Sequence, residues 1–155
     1  MIIKNTRVGK VKDIEKLKRI LIYLISNLET VKYKTELIKL WLILDYRYCK
    51  KLNVKENPTT VDYVKYNYGP YSDSFVEALE QLKHDGILLE IGLQFGAGFS
   101  LAKDPGKIDI EDSVKVILDS VIKDYGKKPL KELKSFIYDL PEFKNTEFGE
   151  VIVIN

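Results

Sequence analysis

Apolar residues recur at Val11, Ile14, Leu17, Ile20, Leu21, Leu24, Ile25 and Leu28. That spacing of three or four places them on one side of a helix over residues 11–28. Lys12, Glu15, Lys16, Lys18 and Arg19 fill the other side, so the helix is amphipathic and its wet face basic. The next segment, 33–53, has a different pattern. Leu37, Ile38, Leu40, Trp41, Leu42, Ile43 and Leu44 surround nearly the whole circumference, which predicts a helix touched from several sides in the middle of the core. Asp45 comes directly after this run. Its carboxylate is expected either at the rim or buried against a nearby Arg, Lys or Tyr.

The remaining pattern is shorter in period. Residues 1–10, broken by Gly9, read as an arm or edge strand, and 54–60 as a loop around Pro58. The stretch 61–68 is dense in Val and Tyr and reads as extended, with Gly69-Pro70 as the turn that ends it. A third helix is predicted over 72–85, with Ser72 and Ser74 competing as its cap and Gly86 as its stop. Residues 87–91 and 99–102 read as two strands joined by a glycine-rich turn over 92–98. Asp109 is placed to cap a fourth helix over 110–125, and Pro129 to open a fifth that ends near Leu140-Pro141. The run Val151-Ile152-Val153-Ile154 is β-prone and needs a partner strand or subunit. The expected fold is α+β and predominantly α-helical. About five helices surround a central buried helix, with a small antiparallel β-hairpin that is winged-helix-like. The expected division is an N-terminal arm and basic helix over 1–32, a main domain over 33–143 and a tail over 144–155.

Composition narrows the chemistry. A chain of 155 residues with 45% hydrophobic and 31% charged residues suits one soluble domain with a single core. No apolar run approaches a membrane span, and the N-terminal residues lack a signal-peptide pattern, so a cytoplasmic protein is expected. The low content of Gln, Met and Cys is compatible with a thermophilic source. One cysteine, Cys49, and one histidine, His84, exclude an intrachain disulfide framework, a cysteine zinc cluster and multi-histidine metal sites. Cys49 lies in an apolar helix and reads as a small buried hydrophobe. His84 lies near a helix end, where it complements the helix dipole. The glycines over 92–98 lack the Gly-Lys-Ser/Thr ending of a phosphate loop, and a hairpin turn explains them. Asp109, Glu111 and Asp112 suit a helix start on a solvated face. The expectation is a protein that works by binding, with no catalytic residue, metal or cofactor.

Charge divides the chain. Residues 1–60 carry 14 Lys+Arg against 6 Asp+Glu, a net of +8, and residues 61–155 carry 11 against 17, a net of −6. Such polarity marks a nucleic-acid face, an acidic docking face, or two halves that attract each other in the fold. The order helix, helix, turn, helix, hairpin resembles a winged helix-turn-helix, with 72–102 as its last helix and wing and 72–85 as the recognition helix. That helix carries Asp73, Glu77, Glu80 and Asp85 against Lys83 alone, and phosphates would repel it. Nucleic acid would have to be held by Lys12, Lys16, Lys18 and Arg19, or by Lys50, Lys51 and Lys55.

Two motifs carry a family resemblance. Lys39-Leu40-Trp41-Leu42-Ile43-Leu44-Asp45-Tyr46 resembles the central-helix signature of the Panacea domain, a family that includes SocA-like antitoxins and phage-associated proteins. Tyr63-Val64-Lys65 and then Tyr68-Gly69-Pro70-Tyr71-Ser72 resemble the family's extended segment ending in Tyr-Gly-Pro before a helix. Leu79, Leu82 and Gly86-Ile87-Leu88 are similar to the family's next helix and its exit. Leu130, Leu133, Tyr138 and Leu140-Pro141-Glu142 are similar to its closing helical part, so the resemblance covers roughly 33–143. The sequence departs from the family at Tyr71, where a small apolar residue is more usual. Further departures are its basic N-terminal extension, its glycine-rich hairpin and its β-prone tail. The resemblance implies an antitoxin that binds a cognate toxin protein, or an adaptor that delivers it to a protease. It implies no catalytic residue or cofactor. Tyr63, Tyr66, Tyr68, Tyr71 and Asp45 are the expected partner-binding residues, and the tail strand is the expected route to a homo-oligomer.

Overall fold

The computed structural model describes residues 14–54, 58, 62–66 and 69–154. The expected arm over 1–10, Val11, Lys12, most of the loop around Pro58 and Tyr68 lie outside these residues. Six helices and six short strands make up the described chain: α1 (Ile14–Ser26), β1 (Lys32–Tyr33), α2 (Lys34–Leu52), β2 (Tyr63–Tyr66), β3 (Gly69–Tyr71), α3 (Asp73–His84), β4 (Leu88–Leu93), β5 (Gly96–Leu101), α4 (Asp112–Tyr125), α5 (Leu130–Tyr138), α6 (Pro141–Lys144) and β6 (Val151–Ile152).

The all-round apolar pattern of α2 has the consequence it predicts. Every residue from 36 to 45 is buried, and α2 packs against α4, α5, β1, β3 and β5. Trp41 is fully enclosed and meets the edge of Phe75 from α3, with ring centroids 5.8 Å apart. Aromatic pairs in this edge-on geometry add stability beyond their burial. The Glu36 carboxylate opens α2 by accepting the Tyr33 backbone N–H at 2.9 Å. Asn53 closes it in the left-handed conformation at φ 55°, with its N–H returned to the Cys49 carbonyl. The amphipathic α1 lays Leu17, Ile20, Leu21 and Leu24 on the same core and packs against α3 and β5. Ser72 wins the competition to cap α3, its hydroxyl accepting the Phe75 N–H at 3.3 Å. At the other end Ile87 N–H bonds Leu82 C=O, Gly86 N–H bonds Lys83 C=O, and Gly86 takes φ +75°. This paired arrangement satisfies the last carbonyls of the helix.

The strands form two antiparallel three-stranded sheets, ordered β1-β5-β4 and β3-β2-β6. The single hairpin expected from sequence is thus one part of a larger β content. The glycine-rich turn contracts to Gln94-Phe95, because Leu93 pairs with Gly96 and the flanking glycines lie in the strands. Gly98 is explained by crowding rather than by turning. A Cβ there would sit 2.6 Å from Leu93 Cδ1, 2.8 Å from Val31 Cγ1 and 3.0 Å from the Lys32 carbonyl oxygen. Its missing side chain is what lets β1 lie against β5, with Tyr33 opposite Gly98.

Other boundaries also move. Gly69-Pro70 does not end the extended segment. It is the start of β3, which pairs back on β2 with Tyr66 opposite Gly69. Glu111, not Asp109, is the residue before α4, and its carboxylate reaches Lys16 of α1 at 2.7 Å instead of capping. Pro129 precedes α5 and Pro141 sits at the start of α6, a further turn of helix that the sequence pattern does not reveal. The β-prone tail finds its partner within the chain: Ile152 pairs with Tyr63 and Val151 with Val64. Apolar side chains of α1 and the tail strand join the same buried cluster as α2 to α6. No helix among the described residues is long and apolar enough to cross a membrane.

Replacing Gly98 with alanine forces Leu93 and Val31 apart. The expected cost is about 1–3 kcal/mol, read as a lower urea midpoint. An unchanged midpoint would show that β1 and β5 have room to separate.

Candidate functional site

Asp45 is the last buried residue of the apolar run in α2, and Tyr63 is the first residue of β2. Both are enclosed, and the Tyr63 hydroxyl donates to Asp45 Oδ2 at 2.6 Å. Burial pushes the Asp45 carboxyl up to about 8, opposed only in part by the Tyr63 hydrogen bond and the charge of Lys16. At neutral pH the carboxyl is therefore mostly protonated. Burial and the neighbouring carboxyl also hold the Tyr63 hydroxyl well above its usual range. Asp45 Oδ1 is buried with no hydrogen-bond partner among the described residues. The pair thus anchors β2 to the core helix. Asp45 and Tyr63, expected as partner contacts, lie inside the scaffold, where a partner does not reach them.

The rest of the tyrosine segment faces outward. Tyr66 is 45% exposed, and its ring lies 5.4 Å from that of Tyr71 and 5.7 Å from that of Phe148. Phe148, 63% exposed, belongs to the turn before β6 and was missed from sequence because nothing in its neighbourhood places it beside Tyr66. Tyr71 is half-buried, and its hydroxyl is raised by burial and by a hydrogen bond to Asp73. Beside Tyr66 and Tyr71 opens a cavity of about 190 Å³ lined by Ile38, Gly69, Pro70 and Phe75. Its lining is almost wholly apolar, with Lys34 at one side.

The floor of this corner explains its glycine. Gly69 adopts φ +108°, and a Cβ there would come within 3.2 Å of Lys39 Nζ. Lys39 is only 1% exposed. Burial, then the charge of Lys134, lowers its amine to about 8 against the opposing pull of Glu36. On the far side Lys65 donates to the Phe143 carbonyl at 2.9 Å and lies over the Phe143 ring at 4.5 Å. Phe143 in turn stacks on Tyr138 at 5.1 Å. The result is an aromatic platform carried by β2, β3 and the turn before β6 and bordered by Lys34 and Lys65.

Three of the residues expected to hold nucleic acid are committed elsewhere, and Lys12 and Lys55 lie outside the described residues. Lys16 pairs with Glu111 at 2.7 Å, Lys50 with Glu142 at 2.8 Å, and Lys18 with Glu15 and Gln81 at 3.2 Å each. Arg19 and Lys51 are exposed. Cys49 is buried, and burial pushes its thiol up to about 11, which keeps it protonated. His84 is exposed, with Nδ1 3.6 Å from Asp85. Among the described residues no group of three or more His, Cys, Asp or Glu is placed to hold a metal ion. The chain gives no significant match to a protein-family model, to a characterised protein or to a solved structure.

The Asp45 carboxyl ionises in the unfolded chain near 3.8 but in the fold only near about 8. Between these values the folded state holds a proton that the unfolded state has lost. Its contribution to stability is complete below the unfolded value and disappears as pH rises to the folded one, at about 1.4 kcal/mol per pH unit. Urea unfolding of the wild type between pH 5 and 7.5 should show this decline relative to Asp45→Asn. Parallel profiles for the two proteins would mean that Asp45 is ionised in the fold.

Proposed function

We propose that the chain is a non-enzymatic protein-binding domain of the Panacea type. In this reading it is an antitoxin that neutralises a cognate toxin by direct contact, or an adaptor that presents the toxin to a protease. The observation that carries the reading is the platform of Tyr66, Tyr71 and Phe148 beside an apolar cavity of about 190 Å³. Tyrosine and phenylalanine on a fixed backbone give large contact area at a small cost in conformational entropy. A cavity of that size takes one apolar side chain from a partner, the usual geometry of an energetic hot spot. Gly69 and Pro70 of the motif that bears the family resemblance line the cavity, so the resemblance and the surface chemistry point to the same place.

A winged-helix-like nucleic-acid binder is the weaker reading. The third helix exposes Asp73, Glu77 and Glu80, and three of the candidate lysines are held by carboxylates or by an amide. Phosphate contacts would have to break those pairs first.

Co-expression with the product of the neighbouring reading frame tests the proposal. That product should be toxic alone, harmless with this chain, and recovered in complex with it. Tyr66→Ala together with Phe148→Ala should weaken the complex at least tenfold, equivalent to about 1.4 kcal/mol, while the thermal midpoint of the free chain stays in place. A neighbour that is harmless alone and forms no complex removes the basis of the antitoxin role. A complex indifferent to both substitutions moves the contact to another face.

A further inference from the structure

A second surface lies along the outer side of β6. In the order β3-β2-β6 this strand is at the edge, with no described strand beyond it. Lys65 N–H bonds the Glu150 carbonyl at 3.0 Å, and Gly149 N–H bonds the Lys65 carbonyl at 2.7 Å. The register continues through Val64 opposite Val151 and Tyr63 opposite Ile152. Main-chain bonding alternates along an antiparallel ladder, so the N–H and C=O of Val151 point away from β2. The side chains alternate too. Ile152 and Ile154 enter the core, while Val151 is 44% and Val153 59% exposed. Between this edge and α6 runs a groove of about 460 Å³, lined by Val151 and Val153 on one side and Pro141, Glu142, Glu147 and Glu150 around it.

The charges select the occupant. Glu142 is held by Lys50, but Glu147 and Glu150 are exposed at the groove. Lys144, the basic residue of this segment, does not line the groove but lies with Lys65, Phe143 and Phe148 around a separate hollow. Two copies joined edge to edge through β6 would bring their own glutamates together, which disfavours self-pairing. We infer that the open edge of β6 takes an extended segment of a different protein that carries Lys or Arg between apolar residues. The segment adds as a further strand on Val151 and Val153, and its cations meet Glu147 and Glu150. The site is separate from the aromatic platform and stands without the antitoxin reading, because it is tested with a peptide.

The probe is a fluorescein-labelled octapeptide of alternating valine and lysine, with a valine–glutamate octapeptide as control. Anisotropy should show saturable binding of the first alone, weakening as salt is raised. Hydrogen exchange on the wild type should slow at the Val151 amide when the peptide is present. Val151→Pro removes an N–H that β2 does not use and is tolerated at an edge. It should cut affinity at least tenfold with the circular dichroism unchanged. Glu147→Lys with Glu150→Lys should do the same and abolish the salt dependence. No binding, or binding of both peptides alike, overturns the inference. Binding without slower exchange at Val151 also overturns it, by showing charge adhesion without strand addition, and this readout needs no variant to fold.

Discussion

The hydrogen bond between Tyr63 and Asp45 joins the two halves of the charge-divided chain inside the protein. It costs a carboxyl its water, and the protein meets that cost by keeping the group neutral rather than by pairing it with a cation. A protonated acid against a phenol holds β2 to α2 without the penalty of a buried ion pair. The outer face depends on this anchor. With β2 fixed by its first residue, Tyr66 emerges at a set angle, β3 folds back on it, and the tail strand finds its partner within the chain.

The charge asymmetry has a structural explanation that does not involve a ligand. Lys16, Arg47 and Lys50 come from the basic half and bond Glu111, Asp124 and Glu142 of the acidic half, at 2.7, 2.8 and 2.8 Å. Each pair is partly exposed and individually worth little. Together they align α1 and α2 against α4 and α6. The halves attract each other in the fold, which was one of the three readings the sequence left open.

The helices were legible because their signals are local. A stripe at Leu17, Ile20, Leu21 and Leu24 or a full girdle over 37–44 needs only the geometry of one helix to be read. The β content was less so because its logic is long-range. Nothing near Lys32 and Tyr33 announces that they pair with Gly98 and Phe99, and two residues are too few to show a period. Gly69 and Pro70 carry the composition of a turn, and the turn signal hid a strand. At the candidate site, sequence singled out the tyrosines but could not sort Tyr63 from Tyr66. That sorting depends on the ladder to Val151 and Ile152, far along the chain. Phe148 needed the same ladder to be found.

No residue separates β1 from α2: Tyr33 ends the one and Lys34 begins the other. The hydroxyl of the same Tyr33 accepts the N–H of Phe95 at the tip of the β4–β5 hairpin, at 3.2 Å. Phe95 is 80% exposed. That tip is therefore tied, through the side chain of Tyr33, to the residue that leads directly into the helix carrying Trp41 and Asp45. The most exposed large apolar side chain of the described residues thus stands on a hairpin tip that is tethered to the start of the central helix.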